Sequence, residues 1–155
     1  MGVPLKDDEI LTAAKQSYER FTFDYLIDCK VKVLNLKDFQ VIAKKSSLVK
    51  KLIENKMIKN IKQLMIPALV VETDRQRLFI SKAIINKLSI NLSKEKKIMF
   101  VQGVVLHELY HVMFKDNRTL NIYGFLRSEK RADHEFRTDY PELAKVLDEV
   151  KKRYV

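Results

Sequence analysis

A chain of 155 residues, 46% of them hydrophobic, is long enough to bury a real core and short enough to be read as a single domain over 1–155. Its single cysteine, Cys29, excludes an internal disulfide framework, and no apolar run reaches the length of a membrane span. The net charge of +10 is concentrated between Lys30 and Gln63, where ten lysines face only Asp38 and Glu54, an excess that favours an acidic partner, a nucleic acid or an anionic surface unless it is simply a solvated face.

Charged residues interrupt the first twenty positions, so they do not read as a signal peptide, and the expectation is a soluble, cytoplasmic protein. Asp7 to Arg20 has acids at its start and apolar residues at Ile10, Leu11, Ala14 and Tyr18, which predicts an amphipathic first helix. Phe21, Phe23 and Tyr25 alternate with polar residues, as Val31 and Val33 do with lysines, so Phe21 to Leu36 predicts one or two strands. Residues 37–45 fit neither pattern cleanly. From Ser46 onward, Leu48, Val49, Leu52, Ile53, Met57, Ile61, Leu64 and Met65 recur at helical spacing up to the break at Pro67. On the other face of that helix, over 44–63, fall Lys50, Lys51, Lys56, Lys59 and Lys62.

Beyond Pro67, Ala68 to Thr73 and Arg77 to Ser81 are β-rich runs around Asp74-Arg75-Gln76, which predicts a hairpin. A brief helix over Lys82 to Leu88 follows. Ser93 is the expected N-cap of a longer helix that ends near Lys115 or Asp116. Asp116 to Leu126 reads as a loop and Ser128 to Arg137 as a short polar helix. Pro141 stands at the first position of a final helix carrying Leu143, Val146, Leu147 and Val150. The elements together predict an α+β fold, a small mixed sheet packed against helices.

The chemistry is concentrated in His107-Glu108-Leu109-Tyr110-His111, an H-E-x-x-H run. On a helix, histidines four residues apart lie on one face, so both imidazoles reach one Zn²⁺ while Glu108 flanks the bound water as general base. Between Ile98 and Phe114 the only carboxylate is Glu108, and there is no Lys or Arg. A lone ionised Glu in such an apolar stretch is costly to bury, and a nearby cation offsets that cost.

A catalytic zinc centre has three protein ligands and an open position. Glu129, in Glu129-Lys130-Arg131-Ala132-Asp133, is the candidate third ligand, and Asp133, one turn later, the candidate acceptor that fixes a ligand imidazole. His134, five residues from Glu129, projects from another flank and is the weaker ligand. A closed, structural zinc site is a competing reading, but it has no use for Glu108.

With these motifs the sequence resembles the gluzincin metallopeptidases, in which H-E-x-x-H is followed after a variable gap by E-x-x-x-D. It is most similar to the very small members called minigluzincins and to the phage-repressor-cleaving metallopeptidase family. The likeness covers about 107 to 135, with seventeen residues between His111 and Glu129, plus the hairpin-then-helix order upstream. The metzincin pattern is absent, since Phe114 and Asn117 stand where it needs Gly and His.

The resemblance implies a zincin-like fold, zinc held by His107, His111 and Glu129, Glu108 as general base and acid, and Asp133 behind the ligands. The implied activity is zinc-dependent hydrolysis of a peptide or protein substrate. Candidates for a second oxyanion donor are His134, Tyr123 and Tyr140. Leu78-Phe79-Ile80 takes the place of the edge strand that holds extended substrate in that group, or else is an interior strand. A reading from a different class is a regulatory or nucleic-acid-associated protein on a peptidase-like scaffold, contacting its partner through the basic 44–63 segment.

Overall fold

The computed structural model describes residues 3–25, 29–60, 65–72, 76–113 and 122–154. The first helix, α1 (Asp7–Tyr25), runs five residues past Arg20 and buries Ile10, Ala13, Ala14, Ser17 and Phe21, a stripe at helical spacing. The expected strand over Phe21 to Tyr25 is therefore replaced by helix. Phe21 is buried, whereas Phe23 is 80% exposed and Tyr25 45% exposed, so the apolar alternation there is not a sheet face. The strand signal further on holds: β1 (Lys30–Leu34) carries Val31 and Val33 toward the core and its lysines outward.

Residues 37–45 resolve as α2 (Leu36–Lys44). Asn35 caps it, accepting from the backbone N–H of Asp38 at 2.8 Å, while Phe39 and Ala43 face inward. After Ser46, a second cap, α3 (Ser47–Glu54) lasts two turns and stops far short of Met65. Its end has a physical cause. Lys56 adopts φ 58°, and the N–H groups of Lys56 and Met57 turn back to the carbonyls of Ile53 and Leu52, closing the helix in a Schellman arrangement. Lys56 and Lys59 thus lie beyond the helix that holds Lys50 and Lys51, and Lys62 lies outside the described residues. The single basic helical face expected over 44–63 is not formed.

Among the described residues the sheet has three strands in the order β1-β3-β2. β2 (Ala68–Glu72) and β3 (Gln76–Ser81) form the expected antiparallel hairpin, with Leu69 opposite Phe79. β1 pairs parallel to the other side of β3, placing Val31 opposite Leu78. Leu78-Phe79-Ile80 is consequently the centre of the sheet and not its edge, and all three side chains are buried. Both of its hydrogen-bonding sides are taken by protein strands, so the expected substrate role there is overturned.

Ser81 caps the short α4 (Lys82–Leu88), and Ser93 Oγ accepts from Lys96 N at 3.3 Å as the expected cap of α5 (Lys94–Met113). α5 is the central helix, lying against α1, β2, β3, α6 (Ile122–Asp139) and α7 (Pro141–Tyr154). The N-terminal segment is tied down beside it: Leu5 and Asn86 exchange two hydrogen bonds, and the buried Lys97 donates its Nζ to Val3 O at 3.0 Å. Helix α6 begins at Ile122, so 122–126 is helical where a loop was expected, and 116–121 lies outside the described residues. The buried side chains form one cluster from Leu5 to Val150, and the architecture is α+β.

Candidate metal centre

Helix α5 buries most of its surface because 98–113 contains no Lys or Arg, and its Val, Leu and Phe residues meet neighbours on several sides. His107 and His111 come from the flank that faces α6. Their side chains are 17% and 10% exposed, and their rings stand 5.0 Å apart at 89°. On α6, Glu129, Ala132 and Phe136 recur at helical spacing. Ala132 and Phe136 are buried, so the same packing that seats α6 also turns Glu129 toward the histidines.

The three groups converge. Glu129 Oε1 lies 2.8 Å from His111 Nε2, and Glu129 Oε2 lies 3.8 Å from His107 Nε2. One ligand atom from each residue falls within 4.8 Å of the others, and among the described residues this is the one group of metal-ligating side chains. Zinc–nitrogen and zinc–oxygen bonds near 2.0–2.2 Å in a tetrahedron put ligand atoms roughly 3.4 Å apart, so the observed separations need only small adjustments to fit a cation. The donor set, two imidazoles and a carboxylate, is also of the kind zinc takes.

Glu108 stands beside this group. Its carboxylate, 18% exposed, is 3.8 Å from His107 Nδ1, on the opposite side of that ring from the nitrogen facing Glu129. Burial pushes the Glu129 carboxyl upward, but the contact with His111 and the charges of His107 and Lys151 outweigh it and hold the pKa below the ordinary carboxylate value. Phe136 meets His107 edge-on at 5.9 Å and limits where that imidazole can turn.

Asp133 does not serve as expected. It accepts from Arg137 Nε at 2.7 Å, and Arg137 also makes a two-pronged contact with Asp148 on α7, at 2.7 and 2.6 Å. A guanidinium four residues along the same helix is a nearer and stronger partner than an imidazole across the interface. His134 is exposed on the outer flank of α6 and does not join the group. Tyr140 stacks on Phe136, with ring centroids 6.2 Å apart. Burial raises its phenol pKa, and the charged groups around it include Arg20 and Asp24 of α1 and Asp139 of α6. The side chain of Tyr123 lies outside what is described.

Three more residues stand near the centre, two of them with weak sequence signals. Phe136 falls seven positions after Glu129 and so on its stripe, and Arg137 falls four after Asp133, a spacing that announces an ion pair. Lys151 has no local signal. It comes near Glu129 because α7 folds back along α6 after the turn at Tyr140, about ten residues out and ten back, or ~15 Å each way. Compared with family models, with curated proteins and with solved structures, the chain matches none.

Proposed function

We propose that this protein is a small zinc-dependent peptidase of zincin-like architecture, its metal held by His107, His111 and Glu129. The observation that carries the reading is the convergence of two imidazole Nε2 atoms and one carboxylate from two different helices, with a second carboxylate, Glu108, close by but outside the ligand group. Zinc in such a site lowers the pKa of a water and polarises a scissile carbonyl. Glu108 accepts the proton of the attacking water and returns it to the departing amine nitrogen. With β3 enclosed, β1 and β2 are the edge strands among the described residues, and β2, which lies against α5, is the one we take to pair with an extended peptide.

The reading is tested by elemental analysis of the purified chain together with hydrolysis of a peptide library. About one zinc per chain is expected, with cleavage that a chelator abolishes. Glu108→Gln should retain the metal while activity falls by roughly 10²–10⁴. Full activity in that variant, or a chain that takes up no zinc, sinks the proposal.

A further inference from the structure

The basic segment has no part in the metal chemistry, and its exposed residues have a composition of their own. Between Lys30 and Asn60 nine lysines stand against Asp38 and Glu54. Lys37, Lys44, Lys45, Lys50 and Lys56 are all exposed, and among the described residues none of these five is in an ion pair. Apolar side chains are exposed among them: Leu36 at 41%, Val41 at 49%, Ile53 at 37% and Met57 at 52%. On α2 the two kinds share one stripe, because Lys37, Val41 and Lys44 follow the i, i+4, i+7 spacing opposite the buried Phe39 and Ala43. Helix α3 repeats the scheme, with Val49 and Leu52 inward and Lys50 and Ile53 outward.

We infer that the outer faces of α2 and α3, with the Lys56-Met57 turn that closes α3, form a docking surface for an anionic lipid bilayer. Lysines among exposed apolar side chains suit the boundary between phosphate headgroups and acyl chains, where the ammonium groups meet lipid charge and the apolar groups leave water. A nucleic acid satisfies the lysines only. It gives Val41 and Met57 nothing to bury against, and Phe39, the one aromatic residue between Lys30 and Asn60, is buried and cannot stack on a base. The binding is peripheral, since among the described residues no helix is long and apolar enough to cross a membrane.

Co-sedimentation of the full chain with vesicles tests this, using neutral phosphatidylcholine alone and the same lipid with about 30% phosphatidylserine. The wild-type chain should partition onto the anionic vesicles and not the neutral ones, and release as salt rises. Lys37→Glu/Lys44→Glu/Lys50→Glu, all at exposed positions, should lower partitioning by at least about 100-fold, at roughly fivefold for each lysine lost. Val41→Ser/Met57→Ser should lower it several-fold on the same anionic vesicles with net charge unchanged. Wild-type partitioning by either variant overturns the inference. So does retention of duplex or single-stranded DNA by a chain that ignores anionic vesicles.

Discussion

Glu129 and Asp133 leave α6 four residues apart, yet one turns to two imidazoles and the other to a guanidinium, and that divergence separates their expected roles. Glu129→Ala removes one of the three proposed ligands, so zinc affinity measured by competition with a chelator should fall by at least about 100-fold, more than the loss typical of an outer-shell partner. Asp133→Asn leaves the ligand set whole. Its expected effect is a stability loss of about 1 kcal/mol in denaturant unfolding, with zinc affinity unchanged, because a half-exposed ion pair contributes modestly. His134→Ala should change neither quantity, since the ring faces solvent. The convergence of His107, His111 and Glu129 was legible because H-E-x-x-H and the later Glu129 encode helix geometry directly in their spacing. The partner of Asp133 was legible too, at Arg137, but two acceptors for one function compete, and only the packed α6–α7 pair decides which is met.

Elements with a strong local signal were read correctly: the start of a helix after Ser46, the brief α4, the cap at Ser93, the β2–β3 hairpin, and Pro141 at the head of α7. What failed was decided elsewhere in the chain. The place of β3 in the sheet depends on a parallel partner more than forty residues upstream, and no feature of Leu78-Phe79-Ile80 announces it. The apparent helix to Met65 failed for a different reason, a stop signal written in an unusual residue. Lys56 occupies the left-handed position that glycine normally fills at a helix end, at φ 58°. A lysine there carries a steric cost of roughly 1 kcal/mol that glycine avoids. Lys56→Gly should therefore stabilise the fold by about 0.5–1 kcal/mol, read as a higher midpoint in urea with the same slope. An unchanged or lowered midpoint would mean that the turn is not held in this conformation. Helix α5 offers the converse case at Gly103, where an added Cβ falls 2.4 Å from Leu147 Cδ1 and 3.5 Å from Phe136 Cζ. The end of a leucine side chain can swing aside for one methyl, but the branched Gly103→Val should separate α5 from α7 and cost about 1–3 kcal/mol.

At the scale of the whole molecule, two of the contacts that join α5 to α6 across the connection between them each have their own solution signature. The first is the hydrogen bond from the buried Tyr110 hydroxyl to Asp139, which together with burial raises the phenol pKa. The folded state thus holds this proton more tightly than the unfolded chain does. Its contribution is complete below the unfolded tyrosine value of about 10 and is lost as pH rises from there toward the folded value, at up to about 1.4 kcal/mol per pH unit. Tyr110→Phe should flatten that alkaline decline. The second contact is the metal centre. Its proposed ligands come from different helices, His111 and Glu129 eighteen positions apart, so a cation bound there favours the folded chain, in which they meet, over the unfolded one, in which they do not. At free zinc about 100 times Kd the stabilisation should be about 2.7 kcal/mol. For a chain of this size that corresponds to a rise in Tm of roughly 5–10 °C. Glu108→Gln should keep the rise and Glu129→Ala should lose most of it, so thermal scans alone separate binding of the ion from use of it. A Tm indifferent to zinc in the wild-type chain would leave the convergence of the two helices as packing without a ligand.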